Sequence, residues 1–156
     1  MGRIVRLALC LVLCLGVGFV GARWTYPEIA TWYASLAKPW WTPPNWVFGV
    51  VWPTLYALMA VSLWLLWEAR QVPGRGSAIA LFIGQLALNA TWTPIFFKWH
   101  QPDTALLVIA VLVVVLGATI AATWRVRGLA ALLLVPYLVW AVYATALNAG
   151  IVALNS

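Results

Sequence analysis

From Thr104 to Trp124 the chain carries no charged side chain, and comparable charge-free apolar stretches recur along its whole length. They run over Leu7–Ala22, between Lys38 and Glu68, over Gly76–Phe97 and from Gly128 to Ser156. A helix that crosses the hydrocarbon core of a bilayer needs about 20 consecutive apolar residues. Barrel strands would instead alternate apolar and polar residues. The runs are unbroken, so helices are expected. Composition agrees: 65% of residues are hydrophobic and 8% charged, where a soluble domain carries roughly 25% charged residues. The expected fold is an all-α integral membrane protein, a single domain over residues 1–156. Five transmembrane helices are placed at approximately residues 5–23, 45–67, 77–98, 104–124 and 129–150. The first is short and relies on flanking arginines that snorkel outward. Arg3 and Arg6 before it and Val20-Gly21-Ala22 at its end also fit a cleavable leader, but the hydrophobic second span favours a retained helix.

Lysine and arginine in the short loops set the expected orientation. Arg3, Arg6, Arg70, Arg75, Arg125 and Arg127 fall on one side, and Arg23, Lys38 and Lys98 on the other. The excess of positive charge marks the cytoplasmic side, which places the N-terminus inside and the C-terminus outside. The formal charge of +6 follows from this bias. No basic cluster signals nucleic acid. Cys10 and Cys14, one helical turn apart on one helix, are poorly placed to bridge each other and are read as small buried apolar residues.

The first loop, Arg23 to about Asn45, is unlike a flexible connector. It holds Trp24, Tyr26, Trp32, Tyr33, Trp40 and Trp41 among Pro27, Pro39, Pro43 and Pro44. Such a stiff aromatic segment is expected to lie over the bundle mouth as a lid, with a short interfacial helix near Glu28–Ala37. Elsewhere Ser77 and Asp103 are candidate helix caps, and Arg125-Val126-Arg127-Gly128 closes the fourth helix.

Polar and aromatic residues within the spans fall on single helical faces. Gln85, Asn89, Trp92 and Phe96 share one on the third helix, and Tyr137, Trp140, Ala144 and Asn148 one on the fifth. Gly49, Trp52, Tyr56 and Met59 share one on the second. Spacings of three and four residues bring side chains to one side of a helix, and amides facing lipid cost free energy, so these faces should point inward. Gln85, Asn89 and Asn148 equally suit interhelical hydrogen bonding, and Trp24, Trp64, Trp67, Trp99 and Trp124 suit an interfacial belt. Pro53, Pro94 and Pro136 are expected to kink their helices and open a cavity. Aromatic walls with few amides suit a flat, largely apolar ligand. Lys38, at the mouth, is a candidate partner for a ligand carboxylate or a snorkelling interfacial lysine.

Conventional catalysis finds little support. Glu28, Glu68 and Asp103 are the only acids, and all lie at loops or helix ends. His100 is the single histidine and sits in a loop, so neither a metal site nor haem ligation within the bundle is expected. With no charge expected to be buried deep within the spans, proton coupling is hard to build.

The segment Trp32-Tyr33-Ala34-Ser35-Leu36-Ala37-Lys38-Pro39-Trp40-Trp41-Thr42-Pro43-Pro44-Asn45-Trp46-Val47-Phe48, with Trp52 and Leu55-Tyr56, resembles the tryptophan-rich sensory protein / translocator protein family. So do Gln85–Phe97, Val135–Ala141 and Ala144–Asn148. The resemblance covers nearly the whole chain after about Ala22. It implies five helices around a pocket closed by the first loop, usually in a homodimer, binding porphyrins such as protoporphyrin IX or haem, sterols and benzodiazepine- or isoquinoline-like compounds. Carried over by motif, the pocket residues are Tyr33, Trp52, Asn89, Trp92, Trp140 and Ala144, with Trp40 and Trp41 in the lid. Phe96 and Tyr137 join them from the inward faces. No cofactor is required; porphyrin is the expected ligand. Some relatives are reported to promote light-dependent porphyrin breakdown, for which Trp52 and Trp140 would be the redox-active pair. The resulting expectation is a receptor- or sensor-type protein of the bacterial envelope, with a porphyrin-degrading enzyme and a tetrapyrrole or sterol transporter as alternatives. A sterol-associated aromatic and basic pair found in many relatives is missing from Ala149–Ser156. For the homodimer, Ala80 and Gly84 are small residues four apart, which allows close helix approach.

Overall fold

A computed structural model describes residues 2–156, and everything regular in it is helical. The elements are α1 (Arg3–Ile29), α2 (Trp32–Ser35), α3 (Asn45–Glu68), α4 (Arg75–Thr93), a π-helical turn (Pro94–Lys98), α5 (Pro102–Val126), α6 (Gly128–Leu132) and α7 (Val135–Asn155). Among the described residues, five segments are long and apolar enough to span a bilayer: Arg3–Ile29, Asn45–Glu68, Arg75–Lys98, Pro102–Val126 and Gly128–Asn155.

The first span runs longer than its charge-free stretch. Arg23 does not end α1, because a long cationic side chain at a helix end reaches the interface while its backbone stays helical. Pro27 lies inside the last turn rather than starting a new helix, where its missing N–H leaves the Arg23 carbonyl without its usual intrahelical donor. The interfacial helix expected near Glu28–Ala37 is therefore reduced to the single turn α2. Neither expected cap serves. Gly74, at φ 83°, precedes α4, leaving Ser77 inside the helix, and Gln101 precedes α5, leaving Asp103 in its first turn. Glycine adopts that left-handed conformation without the Cβ penalty, and a carboxylate in a first turn complements the helix dipole.

The prolines act in three different ways. Pro53 sits within α3. Pro94 opens the π-helical turn, where the Trp99 N–H reaches back to the Pro94 carbonyl at 2.9 Å. Pro136 lies in the first turn of α7, after a break at Leu133 and Leu134 that separates it from α6.

The path of α1 shapes the molecule. Its first half lies on α3: Arg6 is ion-paired with Glu68, and Gly18 lies against the Tyr56 ring. Its second half leaves α3 for the end of α4. Gly21 faces Thr93, the Lys98 ammonium lies 4.0 Å from the Trp24 ring centroid, and Glu28 meets His100 at 3.1 Å. The core below is filled by Met59, Leu66, Phe82, Leu116, Leu134 and Tyr137, with the small residues Ala60, Ala78 and Ala130 fully buried among them. Ser62 Oγ donates to the Ala130 carbonyl at 2.8 Å and so fastens α3 to α6. Cys10 and Cys14 are buried there as free thiols.

The first loop is bonded to α7. The Ala37 N–H donates to Asn155 Oδ1 at 3.0 Å, and Asn155 Nδ2 donates to the Ala37 carbonyl at 2.8 Å. The Tyr143 hydroxyl donates to the Trp41 carbonyl at 2.8 Å. The Pro39 ring fills the space where a Cβ at Gly150 would stand.

Candidate binding cavity

Where α1 leaves α3, the bundle holds a cavity of about 900 Å³. Its walls come from α1, α2, α3, the end of α4 with the π-helical turn, and α7. Among the described residues, no Asp, Glu, Lys, Arg or His lines it. The interior is therefore neutral, and an ionised group placed there without a partner would bear a large desolvation cost.

The aromatic walls form two groups. On the α3–α7 side the Trp52 ring stands perpendicular to Trp140, with centroids 6.5 Å apart. Tyr56 lies 5.8 Å from Trp52, and Phe48 lies 5.7 Å from Trp140. On the α4 side Trp92 stacks on Phe96 at 5.2 Å and 23°. The π-helical turn inserts one extra residue into the helical repeat, and both Phe96 and Phe97 meet Tyr33 of α2. Trp92 is held in place by its indole N–H, which donates to Asn148 Oδ1 at 3.2 Å. Asn148 Nδ2 in turn donates to the Pro102 carbonyl at 2.8 Å. One chain of hydrogen bonds thus orients the ring across α4, α5 and α7. The Tyr33 hydroxyl is pushed above its ordinary pKa, first by burial and then by the neighbouring Tyr143.

Six of the ten candidate ligand-binding residues line the cavity, namely Tyr33, Trp52, Trp92, Phe96, Trp140 and Ala144, and Gly49, Tyr56 and Asn148 join them from the inward faces. Asn89 and Tyr137 lie behind the wall. Asn89 accepts from the Tyr56 hydroxyl and donates to the Tyr137 hydroxyl at 2.8 Å, and so knots α3, α4 and α7 together behind Trp52. Trp40 and Trp41 pack edge to face on each other but do not line the cavity, and Trp40 is 92% exposed. Lys38 folds back on its own segment, with its ammonium 2.8 Å from the Tyr33 carbonyl, 3.0 Å from the Leu36 carbonyl and 4.8 Å from the Tyr33 ring centroid. Its donors are spent there. Gln85 is buried away from the cavity against the Met59 sulfur.

One wall went unread in the sequence. Gly18, Ala22, Thr25 and Ile29 line the cavity from α1. Their spacing of four, three and four is the signal used for the other faces, but it is carried by small and aliphatic residues that do not stand out in an apolar run. Among the described residues, no group of three or more His, Cys, Asp or Glu is placed to hold a metal ion. The walls therefore offer stacking surfaces and a few oriented amide and hydroxyl groups.

Comparison with known proteins agrees with this architecture. The model of the TspO/MBR family matches residues 10–154. The chain is 43% identical to the tryptophan-rich sensory protein of Cereibacter sphaeroides over 124 residues, 80% of this chain and 77% of that protein. It is 43% identical to the human translocator protein over 137 residues, 83% of this chain and 78% of that one. It is 40% identical to the tryptophan-rich protein TspO of Chlorobaculum tepidum over 158 residues, 98% of each. With five apolar spans and a match over nearly its whole length, the chain is an integral, multi-pass membrane protein belonging to the TspO/MBR family.

Proposed function

We propose that this protein is a receptor- or sensor-type membrane protein that binds a porphyrin or related tetrapyrrole in the cavity between α1, α3, α4 and α7. The observation that carries the reading is the neutral, aromatic wall around about 900 Å³. That volume lies near the upper end of the roughly 300–1,000 Å³ range of small-molecule sites. A flat macrocycle gains stacking against Trp52, Trp92 and Trp140. Its polar edge reaches the exposed side of the cavity, where Tyr26, Asn45 and Trp46 stand. The names of the relatives, a sensory protein and a translocator protein, agree with a receptor- or sensor-type membrane role. Sterols and benzodiazepine- or isoquinoline-like compounds are further candidate ligands for the same apolar walls.

The test is a titration of the purified protein with protoporphyrin IX in the dark, read by tryptophan quenching, beside the Trp52→Phe/Trp140→Phe variant. Saturable quenching that weakens about tenfold or more in the variant is expected. Quenching no greater than in empty detergent micelles would refute the reading.

A second reading, light-dependent breakdown of the bound porphyrin, is favoured by the placement of Trp52 and Trp140 in one wall, 6.5 Å apart. It predicts porphyrin loss under illumination that the same double variant abolishes. Transport has less behind it, since no internal repeat or ion site is visible. The homodimer expected from the sequence would use the exposed face of α4 around Ala80 and Gly84. With the arginine-rich loops inside, the first loop would face the outer side of a bacterial envelope membrane.

A further inference from the structure

We infer that the cavity is filled from within the bilayer, through a lateral gap between the second half of α1 and the first half of α3, and not from water through the first loop. The inference rests on the binding role proposed above.

The gap follows from the path of α1. Below Gly18 the helix is fastened to α3 by the Arg6–Glu68 ion pair and by the close approach of Gly18 to Tyr56. Above it every named contact goes to α4 and the segment after it: Gly21 with Thr93, Trp24 with Lys98 and Glu28 with His100. Two helices joined at one end and drawn apart at the other leave a wedge. A Cβ at Gly49, on the α3 side of the wedge, would meet nothing within 4 Å.

The wedge is open to the outside. Phe19 and Tyr26 of α1 and Trp46 of α3 all line the cavity, yet they are 68%, 69% and 70% exposed. A residue that is both cavity wall and outer surface marks an opening. Leu15 to Ile29 is about 21 Å of helix at 1.5 Å per residue, so the opening extends from the loop end to roughly the middle of a hydrocarbon core about 30 Å thick. Lipid tails, not water, surround most of it. Phe19 borders it at depth, while Tyr26, Asn45 and Trp46 border it where Tyr and Trp prefer the interface.

The loop end is closed by contrast. Ala37 and Asn155 exchange two hydrogen bonds, Tyr143 holds the Trp41 carbonyl, and Pro39 packs on Gly150. Opening that route breaks all of these together, whereas the lateral route breaks none. The ligand class that fits is an amphipathic, membrane-dissolved molecule. Its flat apolar body slides between Phe19 and Gly49 while its polar edge stays at the interface.

The experiment uses the full chain in liposomes. Ala22→Cys/Gly49→Cys, joined by a short bis-maleimide, bridges the gap, and Ala37→Cys/Asn155→Cys, oxidised, bridges the loop to α7. Vesicles carrying protoporphyrin IX are mixed in, and the rate of tryptophan quenching is read. The gap bridge should slow association tenfold or more, and the loop bridge should leave it within twofold. Slowing by the loop bridge as large as by the gap bridge, or none by either, would overturn the inference. If the unbridged protein shows no saturable quenching, the porphyrin reading fails by itself, and the gap is read without it. Ala144→Cys, on the far wall, is labelled by a lipid-soluble maleimide and by a charged, water-soluble thiosulfonate, each normalised to Ser156→Cys. At least tenfold preference for the lipid-soluble reagent, beyond labelling of the parent chain, is expected. Equal or faster labelling by the charged reagent would refute the lateral route.

Discussion

Gly18 of α1 lies so close to the ring of Tyr56 of α3 that a Cβ at that position would overlap the ring carbons. The ring cannot easily yield, because Tyr56 is buried and its hydroxyl is bonded to Asn89. Replacing Gly18 by alanine gains up to ~1 kcal/mol of helix propensity but costs ~1–3 kcal/mol of overpacking. A net fall in thermal stability in detergent is therefore expected for Gly18→Ala, and a larger one for Gly18→Leu. Gly16→Ala, where a Cβ would meet nothing within 4 Å, should be neutral or stabilising. A Gly18→Ala protein as stable as the parent would mean that the helices separate freely here.

The second fastening of α1 is electrostatic. Arg6 is buried and pairs with a largely buried Glu68, whereas Arg3, which also reaches that carboxylate at 3.2 Å, is mostly exposed. Breaking a buried pair strands a charge and costs ~3–5 kcal/mol, while an exposed pair is worth ~0–1 kcal/mol. Arg6→Ala should lower stability severely and Arg3→Ala barely. Arg6→Met/Glu68→Leu, which removes both charges, should recover most of the loss. Chemical unfolding of the variants in mixed micelles measures this, and equal effects of Arg3→Ala and Arg6→Ala would contradict the assignment.

Some of this architecture was legible in the sequence because the physics is local. Charge-free runs of bilayer length leave a helix little alternative in lipid, and spacings of three and four residues put Trp52, Trp92, Phe96, Trp140 and Ala144 on inward faces. A face gives direction but not depth. Asn89 shares its face with Trp92 yet ends behind the wall between two tyrosines, because depth depends on where neighbouring helices cross. The tilt of α1 from α3 to α4 is set by long-range contacts such as Gly18 with Tyr56 and Glu28 with His100, which no local pattern announces. Trp40 and Trp41 illustrate the same limit. Their prolines mark a stiff loop, but the packing of Pro39 on Gly150 leaves both rings outside the cavity wall.

The position of Asn89 separates binding from support. It bridges Tyr56 and Tyr137 but does not line the cavity. Hydrogen bonds between spanning helices average ~0.6 kcal/mol and reach at most ~1.7 kcal/mol, so Asn89→Ala should cost about 1–3 kcal/mol of stability. Affinity for protoporphyrin IX should change by less than about threefold at a temperature where the variant is folded. Trp52→Ala should show the opposite pattern, a large loss of affinity. Thermal unfolding and quenching titrations of both variants give the comparison, and a loss of binding in folded Asn89→Ala as large as in Trp52→Ala would place Asn89 in the site itself.

Tyr33 gives the cavity wall a pH signature. Burial, and then Tyr143, raise its pKa above the usual 10.0, so the folded state keeps the phenol protonated where the unfolded chain would release the proton. For a raised pKa the contribution to stability is fully present below the unfolded value and is lost as pH climbs through the folded one. Stability should therefore be unaffected by this group below pH 10 and should fall above it, by at most ~1.4 kcal/mol per pH unit. Tyr33→Phe removes the titrating proton but keeps the ring against Phe96 and Phe97. The variant should match the parent at neutral pH and lose less stability between pH 10 and 11. Thermal melts across that range, with tyrosinate absorbance followed in parallel, measure the difference. If parent and variant decline with the same slope, Tyr33 ionises as freely in the folded protein as in the unfolded chain, and α2 does not shield it from water.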